Sequence, residues 1–141
     1  MERVKEVGIA LKGPMTTPIG SGFRSLNVLL RKKLDLYANV RPAISIPNVG
    51  GVYENVNLLT IRENTEGEYS GLEHEVTEGV IENLKIISKL ACERIGNFAF
   101  KIANDQERKK VTALHKATVM RLSDGLFLQE IRKAAEKYPH I

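Results

Sequence analysis

The sequence predicts an α/β domain, and three observations carry that expectation. Short apolar runs bounded by glycine or proline alternate with segments whose apolar residues step by three or four. Between them, residues 65–78 are punctuated by Gly67, Gly71 and Gly79 into short alternating pieces, the pattern of a hairpin or protruding arm. At 141 residues, 43% hydrophobic and 27% charged, the chain is one domain's worth and has enough apolar side chains for a packed core.

Val7 to Leu11 reads as a short buried strand ended by Gly13-Pro14, and residues 15–22 as a polar, glycine-rich loop. Leu26, Leu29, Leu30 and Leu34 have helical spacing, which predicts a helix to about Leu36. Val40 to Ile46 reads as extended. Pro42 and Pro47 confine it to an edge or a strand end, and a turn follows at 47–51. Val56 to Ile61 is a compact apolar strand. Beyond the arm, Leu84, Ile87, Ala91, Ile95, Phe98 and Ile102 describe one face of a helix of about six turns. Gly96 inside it implies close packing, because glycine there costs about 1 kcal/mol relative to alanine. Val111 to Leu114 reads as another strand. Ser123 and Asp124 read as caps of a final helix through Leu128, Ile131 and Ala135, stopped by Pro139.

Composition narrows the function classes. No apolar run approaches the roughly 18 residues of a membrane span. Twenty-one basic against 17 acidic residues give a net charge of +4, which suits an anionic ligand. The basic residues are dispersed, and neither 31–33 nor 108–110 is interleaved with aromatics, so no nucleic acid partner is expected. Cys92 is the one cysteine, which excludes an intrachain disulfide and a zinc cluster and points to a reducing compartment. Glu2 and Glu6 are unlike an acid-poor transit peptide, so any targeting segment is expected to lie outside this chain. Gly20-Ser21-Gly22 lacks the third glycine and the preceding strand of a dinucleotide fingerprint.

Three arginines sit where ligands collect. Arg31 is one turn after Asn27 on the same helix face, Arg41 lies in an extended segment, and Arg62 directly follows an apolar strand. Planar guanidinium forks bind carboxylates bidentately, so three converging ones suit a di- or tricarboxylate. Read alone, three unrelated surface arginines are the commoner case.

The words around them are specific. Residues 13–20 (Gly-Pro-Met-Thr-Thr-Pro-Ile-Gly), 24–27 (Arg-Ser-Leu-Asn), 36–42 (Leu-Tyr-Ala-Asn-Val-Arg-Pro), 61–71 (from Ile-Arg-Glu-Asn-Thr to Ser-Gly) and 111–117 (Val-Thr-Ala-Leu-His-Lys-Ala), followed by Asp124 to Phe127, occur in that order. Together they closely resemble the β-decarboxylating dehydrogenases, the isocitrate/isopropylmalate dehydrogenase family, nearest its catalytic NAD-dependent isocitrate branch.

That resemblance implies the central part of the family's α/β fold, a mixed sheet flanked by helices with a protruding hairpin, or clasp, arm. It implies NAD-dependent oxidative decarboxylation of isocitrate to 2-oxoglutarate, a step of the tricarboxylic acid cycle. Arg31, Arg41 and Arg62 match the arginines that clamp the substrate carboxylates. Ser25 and Asn27 match the residues contacting the carboxylate that distinguishes isocitrate; isopropylmalate-type members are expected to be apolar there. Both also suit a helix start. Tyr69 matches the acid that protonates the enol carbon, although a lone tyrosine in such a hairpin is more often packing. Lys116 matches a lysine that enters the neighbouring subunit's site and assists proton removal from the substrate hydroxyl, a task suited to a lysine whose pKa nearby arginines depress. Thr17 matches a threonine beside the nicotinamide.

The implied cofactors are NAD and Mg2+ or Mn2+, the metal's ligands falling outside this chain because Asp35, Asp105 and Asp124 are not in the matching context. Residues 1–141 are thus expected to be a single fragment of such a domain, lacking the family's N-terminal strand region and its C-terminal metal and adenosine sites, and inactive alone. Homologous subunits, in a homo- or hetero-oligomer, are the implied partners. The mitochondrial matrix is the implied compartment, with the cytoplasm as alternative for a prokaryotic source. The competing reading is a non-catalytic or truncated subunit that pairs with complete ones. His115 is expected to be packed, and Glu66 and Glu68 to form a solvated acidic loop.

Overall fold

The computed structural model describes residues 1–16 and 25–141. Its elements run α1 (Glu2–Val7), α2 (Leu26–Lys33), β1 (Ala38–Ile44), β2 (Asn57–Glu63), β3 (Gly67–Thr77), β4 (Val80–Ile86), α3 (Lys89–Asp105) and α4 (Ser123–Ala135). The content is mixed α and β, as expected. Among the described residues, however, the strands form two separate two-stranded ladders, β1–β2 and β3–β4, both antiparallel.

The core lies between α3 and α4. Phe100, Ile131 and Ala134 form its centre, with Val111, Phe127 and Tyr138 packed around them. Tyr138 stacks on Phe100 at 5.8 Å between ring centroids. A Cβ on Gly96 would meet Ile131 Cδ1 at 3.0 Å and Ala134 Cβ at 3.4 Å, so the missing side chain lets α4 approach α3 as its cost in the helix implied. The helix begins at Lys89, not near Leu84. Ser88 is its N-cap and accepts a hydrogen bond from the Ala91 amide. Leu84 belongs to β4, where its spacing to Ile87 imitated a helical step. Alongside Ala91 and Ile95, α3 buries Cys92, Phe100 and Ala103, an arc wider than one stripe.

The hairpin expectation holds and gains its second strand. β3 and β4 pair from Gly67 opposite Ile86 to Thr77 opposite Val80. Gly79, at φ 76°, makes the turn, and its amide donates to Glu75 Oε1. Leu72, Val76, Ile81 and Leu84 remain about half exposed, so most of the hairpin stands clear of the core.

Two expected strands are not formed. Residues 9–16 have no regular structure and Ile9 is 78% exposed, because among the described residues no strand pairs with them. Residues 111–114 alternate inward and outward like a strand, with Val111 and Ala113 on the core, yet have no ladder partner among the described residues. Of the expected caps, Ser123 and Asp124 lie inside the first turn of α4, whose N-cap is Leu122. No helix among the described residues is long and apolar enough to cross a membrane.

Candidate active site

The β1–β2 register builds the first part of the site. Asn39 faces Arg62 and Arg41 faces Thr60, and side chains two apart share a face. Arg41 and Arg62 are therefore diagonal neighbours on one face of the ladder, with Cα atoms about 7–8 Å apart in such a pairing. Local amides aim both forks: Arg41 Nε donates to Asn39 Oδ1 at 2.9 Å, and Arg62 to Asn64 Oδ1 at 3.2 Å. Asn64 is buried, and its own amide donates to the Tyr37 carbonyl where β1 begins.

Tyr69, at the root of the hairpin, joins α2 to this face. The Arg62 guanidinium carbon lies 5.3 Å from its ring centroid and that of Arg31 lies 5.6 Å away, so the ring is flanked by two cations. Lys32 Nζ donates to the Ser70 carbonyl, tying α2 to the hairpin beside this contact. None of Arg31, Arg41 and Arg62 forms an ion pair among the described residues, and the Tyr69 hydroxyl has no hydrogen-bond partner there. Arg31 and Arg62 thus bring charge unpaired among the described residues to the Tyr69 ring, and Arg41 lies beside Arg62 on the ladder face.

Ser25 holds the N-cap position of α2, but its side chain makes no capping bond. Asn27 is engaged within the chain, donating to the Met15 carbonyl and accepting from Lys12 Nζ at 2.9 Å. Thr17 lies outside the described residues. Lys116 stands apart: its side chain is exposed and has no hydrogen bond or ion pair with Arg31, Arg41, Arg62 or Tyr69. An open trough of about 1220 Å³ runs from Arg62 and Tyr69 past Lys85 and Asp124, with Val111 and Ile131 also in its lining.

Several functional-looking groups escaped the sequence reading or were misread in it. Arg94 grips Asp35 with two 2.8 Å contacts, donates to Thr65 and covers the Tyr37 ring at 4.3 Å, pinning to α3 the end of the ladder where β1 starts and β2 finishes. Glu66 is not solvated, because it accepts from both the amide and the hydroxyl of Ser88, whereas Glu68 is exposed as expected. His115 is exposed instead of packed, accepting from the Ala117 amide through Nδ1. Asp124, buried in the first turn of α4, accepts from the Lys116 amide at 2.6 Å and from Lys85 Nζ at 3.0 Å. Burial pushes its carboxyl up, but those two donors outweigh burial and hold it below the usual carboxylate range. Burial and the nearby Glu66 push the Cys92 thiol up to about 11, which leaves it a core residue and no nucleophile. No three His, Cys, Asp or Glu side chains converge as metal ligands among the described residues.

A family model described as isocitrate/isopropylmalate dehydrogenase matches residues 1–141. The chain is 57% identical, over all of its own length and 40% of the other's, to a chloroplastic 3-isopropylmalate dehydrogenase of Solanum tuberosum. It is 56% identical, over all of its length and 38% of the other's, to the mitochondrial NAD isocitrate dehydrogenase catalytic subunit 5 of Arabidopsis thaliana. The crystal structure of isocitrate dehydrogenase from Methylococcus capsulatus superposes with a TM-score of 0.92 at 44% identity, covering 99% of this chain and 42% of that one. The chain therefore spans about two fifths of the length of these relatives, and its identities to the two enzyme types are nearly equal. A family match over every residue, with near-coincident backbones at this identity, leaves one assignment: the chain belongs to the isocitrate/isopropylmalate dehydrogenase family.

Proposed function

We propose that this chain supplies the substrate clamp of an NAD-dependent isocitrate dehydrogenase, which converts isocitrate to 2-oxoglutarate in the tricarboxylic acid cycle. The observation that carries the reading is that Arg31 and Arg62 flank the Tyr69 ring while Arg41 shares a ladder face with Arg62, none of the three forming an ion pair among the described residues. A tricarboxylate is the ligand that three such forks match in charge and geometry. Ser25 and Asn27, at the start of α2, are the residues assigned to the third carboxylate, for which Asn27 would exchange its contacts with the Met15 carbonyl and Lys12.

In this reading Thr17 would be among the residues that hold NAD, which would supply the acceptor for the hydride of the hydroxyl-bearing carbon. Lys116, donated by a second subunit, assists removal of the hydroxyl proton. Loss of the β-carboxylate as carbon dioxide leaves its bonding electron pair on the adjoining carbon, and the Tyr69 hydroxyl gives that carbon its proton. The described residues do not fit a divalent metal, so Mg2+ or Mn2+ draws its oxygen ligands from outside this chain. The half-exposed β3–β4 hairpin serves as the clasp between subunits, and homologous subunits are the partners. The mitochondrial matrix is the compartment.

The test is a graft. Residues 1–141 replace the matching residues of the Arabidopsis catalytic subunit, which is 56% identical over that stretch. The composite should reduce NAD with isocitrate. Arg62→Ala should lower its kcat/KM by roughly 10²-fold or more, because a lost bidentate charge pair costs about 2–5 kcal/mol. A composite indifferent to Arg62→Ala would contradict the clamp.

A further inference from the structure

We infer that Asp124 is a positioning residue for Lys116: its buried carboxylate fixes the Lys116 main chain and fastens it to the hairpin root through Lys85. The inference rests on the proposed role of Lys116 and extends it to a residue that contacts no substrate.

The geometry is specific on three counts. First, Asp124 is 6% exposed, yet its two oxygens serve two different segments: Oδ2 accepts the Lys116 amide at 2.6 Å and Oδ1 accepts Lys85 Nζ at 3.0 Å. An acid in the first turn of a helix is ordinarily explained by that helix's own amides and dipole. Here the described hydrogen bonds of the carboxylate go elsewhere. Second, the Lys116 main chain is held from both sides, since its carbonyl accepts from the amides of Val119 at 2.9 Å and Met120 at 2.8 Å. Its side chain has no partner among the described residues and is exposed. A pinned backbone carrying an unengaged ammonium is what a residue needs if it reaches into a site on another subunit. Third, Lys85 sits on β4 and lies 3.9 Å from Glu68 Oε1, next to Tyr69 in sequence. Asp124 therefore links the segment bearing Lys116 to the strand pair bearing Tyr69. A displacement of about 1 Å in a catalytic group costs on the order of 10²-fold in rate, so the link has a kinetic consequence.

The test uses the full-length graft and the isosteric Asp124→Asn. An amide must turn its NH2 toward either the Lys116 amide or the Lys85 ammonium, both donors, so one anchor is lost while volume is kept. Folding is checked by circular dichroism and thermal melting, with Lys85→Met, which removes one anchor and leaves Asp124 intact, as the second variant. Asp124→Asn should lower kcat on the order of 10²-fold with the isocitrate KM nearly unchanged, since the arginine clamp is untouched. Lys85→Met should shift kcat the same way by less. Mixed dimers then separate a role through Lys116 from a general one. Asp124→Asn paired with Arg41→Ala should recover activity, and paired with Lys116→Met it should not, because a residue acting through Lys116 shares its subunit and its lesion. An unchanged kcat, a rise in KM alone, or recovery with Lys116→Met would overturn the inference. Failure of Lys116→Met to recover with Arg41→Ala would instead sink the underlying role of Lys116, so the two failures are told apart.

Discussion

Subunits carrying Lys116→Met and subunits carrying Arg41→Ala are expected to regain, when co-expressed, activity that neither shows alone. In the proposed site the clamp comes from one subunit and the lysine from its neighbour. The Lys116 side chain is exposed and has no hydrogen bond or ion pair among the described residues, Arg31, Arg62 and Tyr69 included, as such sharing requires. Each homodimer lacks one essential group at every site. Removing an acid/base costs on the order of 10²–10⁴ in rate, and removing one partner of a close charge pair costs about 2–5 kcal/mol. In the mixed dimer one site carries both lesions and the other carries neither. Full-length grafts bearing two different tags, purified through both, should therefore show about one working site per dimer. Verified mixed dimers that stay as slow as their parents would assign Lys116 to its own subunit or to no site at all.

Replacing Ser25 and Asn27 together by leucine should remove isocitrate oxidation nearly completely. A hydrogen bond to a charged group is worth about 1.5–3 kcal/mol, so losing two corresponds to roughly 10²- to 10⁴-fold in kcat/KM. Ser25 holds the N-cap position of α2 without a side-chain capping bond. Asn27 has a second task, holding the Met15 carbonyl and Lys12, and its loss should also lower thermal stability by about the 1 kcal/mol of an ordinary hydrogen bond. The two effects separate cleanly, because destabilisation lowers the melting temperature and a lost carboxylate contact lowers kcat/KM in protein that is still folded. An isocitrate kcat/KM unmoved by the pair would leave both as helix-start residues.

Periodicity reads well where a segment's burial is decided by its own sequence neighbours. The steps from Ala91 through Ile95, the close-packed Gly96 and the turn at Gly79 are of that kind. It fails where structure depends on a partner strand. Ile9 and Leu11 have strand-like composition without a ladder to join, and residues 111–114 keep the alternation of a strand without its hydrogen bonds. Leu84 was drawn into a helix because a step of three to Ile87 is shared by a helix and by a strand running into a bend. Of the site, Arg31, Arg62 and Tyr69 were legible through the words around them, and the structure brings these three together. Arg41 joins them by register, since it shares a ladder face with Arg62. Asp124, Lys85 and Arg94 carried no local signal, since their partners lie 8 to 59 positions away. An acid two residues into a helix looks like a capping residue in any sequence.

The proposed clamp places recognition of isocitrate within residues 1–141. It is tested most directly in a recipient named for the other substrate, the chloroplastic 3-isopropylmalate dehydrogenase of Solanum tuberosum, which matches the whole chain at 57% identity. With this chain grafted into it, kcat/KM is measured for isocitrate and for 3-isopropylmalate under the same NAD and magnesium conditions. The account predicts that isocitrate is the preferred substrate, and that Ser25→Leu with Asn27→Leu reverses the preference. A graft that still prefers 3-isopropylmalate would contradict it.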